Sequence, residues 1–281
     1  MSYTEKCLIT DFDNTLFDWF DYWYQAFNGA LCYILKNSTG INKEDFLLDI
    51  KKIHECHNTT EYLNVFKDIA ELPKYRNILN FTDICCQATD LREKLKAENL
   101  HLFLGVLETL KYLKQNSYKI ILFTESEAYS TTARVKALKL DGIIDYIYAP
   151  PAKNAGITDL KKTELISFNE QKHYKPNSQN IEKILSDINV EKRNCYYIGD
   201  SLIKDIKMAQ NAQIIDIYAK YGENYKTKKE YELLKKVTFW TDSLVKAEAQ
   251  SNEQDIRPTF ILENSFKEIL NIININEVTN V

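Results

Sequence analysis

Apolar positions in this chain follow two periodicities that alternate along its length. Short apolar runs bounded by turn residues predict buried strands at CLITDF near the N-terminus, YKIILF (118–123), CYYIG (195–199), QIIDIY (213–218) and PTFIL (258–262). Between them, apolar residues recur every three or four positions. GVLETLKYLKQN sets Val106, Leu110 and Leu113 on one helical face, SQNIEKILSDI opens on Ser178 as a predicted N-cap, and LIKDIKMAQNA follows the third strand directly. Strands alternating with helices of this length predict an α/β fold: a Rossmann-like parallel sheet with helices on both faces.

Residues 17–103 break this alternation. They hold long amphipathic stretches, beginning with DWFDYWYQAFNGALCYILKN, and no strand pattern. An all-helical subdomain inserted after the first strand is therefore expected, dividing the chain into a core of 1–16 and 104–281 and a helical domain of 17–103. The segment 150–173, PPAKNAGITDLKKTELISFNEQKH, has weak periodicity and is expected to be an extended loop or flap. Residues 221–281 read as a helical excursion, then a last strand and helix closing the core.

Composition adds limits. The 281 residues are 44% hydrophobic and 27% charged, which suits a soluble globular protein. A formal net charge of -4 and no long basic run argue against a nucleic-acid polymer as partner. No apolar stretch approaches the roughly 20 residues that span a bilayer. The N-terminal MSYTEKCLIT lacks a basic end followed by a long apolar run. A cytoplasmic protein with no membrane attachment is expected. Cys7, Cys32, Cys56, Cys85, Cys86 and Cys195 include no C-x-x-C pair and are expected to be reduced packing residues.

In open parallel sheets, ligands bind beyond the carboxyl ends of the strands. Asp11, Asp13 and Thr15 follow the first strand; Thr124, Glu125 and Ser126 follow YKIILF; Gly199 closes CYYIG, with Asp200, Ser201 and Asp205 after it. Lys175 lies in HYKPN. Singly, each has a plain structural reading: an Asp or Thr124 as a helix cap, Asp205 as a solvated helix face, Lys175 as a surface lysine. The set, in this order, makes chemical sense of another kind. Carboxylates gathered on one rim repel unless a cation sits among them, and oxygen-only ligands suit a hard ion such as Mg²⁺. A metal beside a hydroxyl and a lysine suits a phosphate group. No G-x-x-x-x-G-K-[ST] or G-x-G-x-x-G occurs, which disfavours a P-loop kinase or a dinucleotide enzyme. His54 and His57 flank Cys56 at a metal-compatible spacing, but nothing nearby completes a site. The aromatic run DWFDYWYQAF could stack a nucleobase or fill a helical core; the second is expected, because helical aromatics mostly serve packing.

DFDNT, LFTES, YKP and GDSLIKD, in this order, resemble the four motifs of the haloacid dehalogenase-like hydrolase superfamily. The resemblance covers roughly 1–16 and 104–220, and the helical insert resembles a C1-type cap, which folds over the active site. It implies that Asp11 is a nucleophile forming an aspartyl-phosphate and that Asp13 is the general acid. It implies that Thr124 and Lys175 bind the phosphoryl group, with Glu125 beside them. Mg²⁺ would be held by Asp11, Asp200 and the backbone carbonyl of Asp13. Asp205, Ser201 and Gly199 would support the site. Dehalogenases of this superfamily generally lack an acid at the position of Asp13, so its presence implies phosphoryl transfer. The expected activity is a Mg²⁺-dependent phosphomonoesterase acting on a small phosphorylated metabolite. A 5′-nucleotidase, a phosphomutase, and a phospho-accepting or catalytically silent binding protein are the alternatives. Asn14 stands where glycine is frequent, and Glu125 where a small or amide residue often follows the threonine.

Overall fold

The structure is a computed structural model that describes residues 5–152, 156–167, 174–238 and 256–273. Seven parallel strands form one sheet: β1 (Lys6–Thr10), β2 (Tyr118–Phe123), β3 (Tyr146–Ala149), β4 (Glu164–Ser167), β5 (Cys195–Gly199), β6 (Ile215–Ala219) and β7 (Phe260–Leu262). Their spatial order is β4-β3-β2-β1-β5-β6-β7. The chain builds outward from β1 through β2, β3 and β4, then crosses back to place β5 on the other side of β1. That reversal puts the topological switch point at the carboxyl end of β1, between β2 and β5, where such sheets bind ligands.

The α/β expectation holds. Cys7, Leu8, Ile9 and Thr10 of β1 are all fully buried, as a strand covered on both faces requires. One face packs on α7 (Gln179–Ile188), whose Ile181, Ile184, Leu185 and Ile188 form a single buried stripe. Burying each of these side chains is worth roughly 1.5–3 kcal/mol. α5 (Val106–Gln115) buries Val106, Leu110 and Leu113 at the expected spacing. Ser178 occupies the N-cap position of α7 but makes no side-chain cap; Asn177 Oδ1 accepts from Gln179 N at 3.0 Å.

Several expectations need correction. The segment read as a flap contains β4, and the short β3 precedes it. β4 is anchored from outside itself: Asp141 accepts from the backbone N–H groups of Lys161, Lys162 and Thr163, and Thr163 Oγ1 donates to Ile144 O at 2.8 Å. The strand expected from Gln213 starts at Ile215, because Gln213 sits in the left-handed region at φ 59°. LIKDIKMAQNA is not one regular helix. Leu202–Ile206 is a π-helical turn, in which Ser201 O accepts from both Asp205 N and Ile206 N, and α8 (Lys207–Asn211) follows. Three of the six cysteines, Cys32, Cys56 and Cys86, are exposed rather than buried.

The described residues fall into two compact units. The first holds the sheet with 5–18, 101–224 and 256–273. The second holds 19–100 and also 225–238, which the sequence placed in the core. It consists of α1 (Trp19–Asn37), α2 (Lys43–His57), α3 (Val65–Ala70), α4 (Phe81–Glu98) and α9 (Tyr231–Val237). The reason for the added stretch is specific bonding: the His54 ring contacts Val237 O at 2.5 Å through Nδ1, and Lys51 Nζ donates to Lys235 O at 3.2 Å. The aromatic run of α1 is packing material, as expected. Phe20, Trp23 and Phe27 are buried, Phe20 stacks on Tyr225 at 5.1 Å, and Trp23 stacks on Phe27 at 5.1 Å.

His54 gives this unit a pH dependence. Burial pulls its pKa down from 6.5 to about 4, against the Val237 hydrogen bond that favours the charged ring. Between pH 6.5 and about 4 the unfolded chain takes up a proton that the folded one refuses. Stability should therefore fall with pH across that window, by roughly 3 kcal/mol in total. Denaturant titrations followed by Trp19 and Trp23 fluorescence check this. His54→Gln should flatten the slope, and an unchanged slope in that variant would remove His54 as its source. No helix among the described residues is long and apolar enough to cross a membrane.

Candidate active site

Three strand ends converge on the switch point. Thr10 of β1 pairs with Leu122 of β2 and Ile198 of β5, so Asp11, Phe123 and Gly199 stand level. Asp11 N continues the ladder by donating to Ile198 O at 2.9 Å. The buried Asp11 carboxylate then receives Lys175 Nζ on Oδ1 and Thr15 Oγ1, at 3.4 Å, on Oδ2. Lys175 Nζ also contacts Asp205 Oδ1 at 2.7 Å. Asp205 is further held by Tyr197 OH at 2.8 Å and Ser201 N at 3.1 Å. Carboxylate oxygens of Asp11, Asp200 and Asp205 lie within 4.8 Å of one another.

Gly199 makes this arrangement possible. A Cβ there would lie 2.3 Å from Asp205 Cγ, so the carboxylate could not cross the strand end. Gly222, just past β6, does the same for the turn after β1, since its Cβ would meet Asn14 O at 2.0 Å. Asn14 replaces a frequent glycine without loss because it sits at φ 57°, a left-handed conformation that asparagine tolerates.

Charge in the cluster is unbalanced. Burial, opposed by Lys175 and reinforced by Asp205 and Asp13, pushes the Asp11 carboxyl up to about 7. Burial would also strip the proton from Lys175, but Asp11 and Asp205 outweigh it and hold the ammonium well above its usual range. One ammonium among three clustered carboxylates leaves an excess of two negative charges when all are ionised. A divalent cation would cancel that excess, and an all-oxygen donor set fits a hard ion. Asp205 is held by Lys175, Tyr197 and Ser201, and Asp11 by Lys175 and Thr15; all three carboxylates offer an oxygen close enough to share one such ion.

Asp13 is not one of the three clustered carboxylates. Its Oδ2 accepts from Ser126 Oγ at 2.7 Å, and its Oδ1 faces Arg134 Nη1 at 3.2 Å. Thr124 is buried past β2, and its Oγ1 accepts from Ser126 N at 3.1 Å, which leaves its O–H proton to donate elsewhere. Glu125, expected beside a phosphate, is placed otherwise: Oε1 accepts from Lys175 N at 2.9 Å and Oε2 from Lys204 Nζ at 2.7 Å. An ionised carboxylate accepts hydrogen bonds and repels phosphate, so Glu125 anchors the backbone of Lys175. Ser201 serves as a cap, its Oγ accepting from Lys204 N at 3.3 Å. Among the described residues His54 and His57 belong to no group of metal-compatible side chains: His54 is bonded to Val237 O, and His57 stacks on Tyr62 at 3.6 Å.

The sequence reading missed Arg134, Tyr197 and Gly222. Arg134 sits in α6 (Ala128–Ala137) amid polar residues, with nothing in the local pattern to single it out. Tyr197 looked like one more apolar strand residue. Gly222 carried a signal, since the chain has only seven glycines and this one lies three residues past the end of a strand.

The haloacid dehalogenase-like hydrolase family model matches residues 5–213, and a HAD-hydrolase-like model matches residues 174–264. No protein of curated function matches the sequence. Among solved structures, 2-haloacid dehalogenase from Pseudomonas syringae aligns over 96% of this chain and 99% of its own, with 16% identity and a TM-score of 0.55. A candidate β-phosphoglucomutase from Thermotoga maritima aligns over 96% and 98%, with 16% identity and a TM-score of 0.55. The candidate HAD-hydrolase YfnB from Bacillus subtilis, bound to magnesium, aligns over 96% and 99%, with 15% identity and a TM-score of 0.52. At such identities these structures share the fold with this chain and no more. The family match spans most of the chain, including β1 to β5 and every strand end that builds the aspartate cluster, and on that ground the chain belongs to the haloacid dehalogenase-like hydrolases.

Proposed function

We propose that this hydrolase is a Mg²⁺-dependent phosphomonoesterase acting on a small phosphorylated metabolite. The observation that carries the reading is the Lys175 ammonium shared between Asp11 and Asp205, with Asp200 completing the acidic cluster. Dehalogenase and phosphomutase share the fold, so the fold does not select the reaction. Asp13 favours phosphoryl transfer, because an alcohol leaving group needs a proton and a halide does not.

In this reading Asp11 attacks phosphorus and the bond to the leaving oxygen breaks. Asp13 gives that oxygen a proton, then takes one from the water that hydrolyses the aspartyl-phosphate. Phosphate leaves and Asp11 is restored. Thr124 donates its hydroxyl proton to a phosphoryl oxygen, and Lys175 balances the charge gathered there. Asp11 and Asp200, with the Asp13 carbonyl, would hold the magnesium, which supplies positive charge against the phosphoryl oxygens when bound. The partner is the small-molecule substrate; no surface argued above suits a nucleic-acid polymer.

Hydrolysis of a panel of phosphomonoesters, including nucleoside monophosphates and sugar phosphates, tests this. Activity should vanish in EDTA and return with excess Mg²⁺. Full turnover by the metal-free protein would overturn the metal-dependent reading.

A further inference from the structure

We infer that Arg134 is a positioning residue for Asp13, and the inference rests on the phosphatase reading above. Its guanidinium is almost wholly withdrawn from solvent, with a side-chain exposure of 5%, against 27% for Asp13. A buried cation needs partners, and Asp13 and Phe17 are among those it finds. Nη1 reaches Asp13 Oδ1 at 3.2 Å, and the guanidinium carbon lies 5.6 Å from the centre of the buried Phe17 ring. Asp13 and Phe17 are bridged to each other, at the two ends of the turn that follows β1, and Phe17 is bridged in turn to Leu102. Arg134 therefore ties both ends of this turn to α6.

Ser126 completes the hold. With its hydroxyl on Oδ2 and Arg134 on Oδ1, both oxygens of Asp13 have a protein partner, and both partners follow β2 in the chain. An aspartate has two side-chain torsions and, at 27% exposure, room to turn. Held on both oxygens, the carboxylate is kept in one orientation while staying partly open to solvent. This is what a proton-transferring group needs, a geometry fixed before the reaction begins. Ser126 belongs to the LFTES motif; Arg134, two helical turns later, belongs to no motif singled out above.

Leaving-group dependence separates this role from a general structural one. Phosphomonoesters that share a small alkyl frame but differ in leaving-group pKa should be compared in Arg134→Gln and Arg134→Lys. Arg134→Gln should lose about ten- to hundred-fold in kcat with poor leaving groups, which need the proton, and much less with an aryl phosphate. Arg134→Lys, which keeps the charge but not the fork, should fall between. In an Asp13→Asn background, Arg134→Gln should cost no more than about twofold, because the group it positions has already lost its task. Equal fractional losses across all leaving groups, or a full additional loss in the Asp13→Asn background, would overturn the inference while leaving the phosphatase reading intact. A wild-type protein inactive on every phosphomonoester would overturn both. If Arg134→Gln alone does not fold, Arg134→Lys and the double variant, which removes both charges together, carry the same comparison.

Discussion

Asp11→Asn abolishes turnover, by about 10⁴-fold or more, and leaves the protein at least as stable as the wild type. The two halves of this expectation have one cause. Asp11 is a carboxyl whose ordinary pKa of 3.8 is raised to about 7 by burial, with Asp205 and Asp13 adding to the effect. In the folded state it holds its proton over a range where the unfolded chain has lost it, so the cost of ionising it in place grows as pH rises from 3.8 to about 7. Asparagine keeps the shape and its one carbonyl oxygen can still accept from Lys175, while its NH2 faces the Thr15 hydroxyl, which can accept; it carries no charge and cannot form the aspartyl-phosphate. Comparing kcat and denaturant midpoints in EDTA at pH 7.5 checks both halves. Normal rates in the variant would remove Asp11 as nucleophile. A sharply lowered midpoint would mean that its carboxylate holds the fold together after all.

Lys175→Met reverses the stability result. The lysine side chain is 3% exposed and lies between two carboxylates that are themselves almost buried. Without the ammonium, Asp11 and Asp205 face each other uncompensated, and breaking one side of a buried pair costs about 3–5 kcal/mol. Activity is lost as well, since the charge that balances the phosphoryl group goes with it. Added Mg²⁺ should raise the midpoint of this variant more than that of the wild type, because the cation has more uncompensated charge to meet. A metal-free Lys175→Met protein as stable as the wild type would show that the buried pair contributes nothing. The contrast between the two variants is itself informative: one residue of the pair is a cost to the fold and the other relieves it, which is a usual arrangement where function sets the residue type.

Much of this was legible beforehand. The strands YKIILF and CYYIG matched residue for residue, because a strand buried on both faces writes an uninterrupted apolar run that turn residues cut at each end. The positions of Asp11, Thr124 and Asp200 at strand ends were legible because each directly follows an apolar run. β3 and β4 were not, since four-residue strands on the outer side of the sheet leave too short a pattern, and β4 is held by Asp141, some twenty residues before it in the chain. α9 was assigned to the wrong unit for a similar reason. Its own amphipathic pattern is equally good in either place, and bonds from His54 and Lys51 decide where it belongs.

The sequence by itself determined which chemistry is available here: strands ending in carboxylates, a hydroxyl and a lysine in one order, on a sheet that must bring those ends together. That information is local, held in runs of five or six residues and in the rule that parallel strands share a direction. Only the tertiary structure decided how the charges are partnered. It gave Lys175 to Asp11 and Asp205 together, bonded Glu125 to the Lys175 backbone, and paired Arg134 with Asp13. Most of these pairings join residues far apart in the chain, 50 positions for Glu125 with Lys175 and 164 for Asp11 with Lys175. Each is settled by which charge is left without water when the sheet and its helices close, a quantity that no local window of sequence contains.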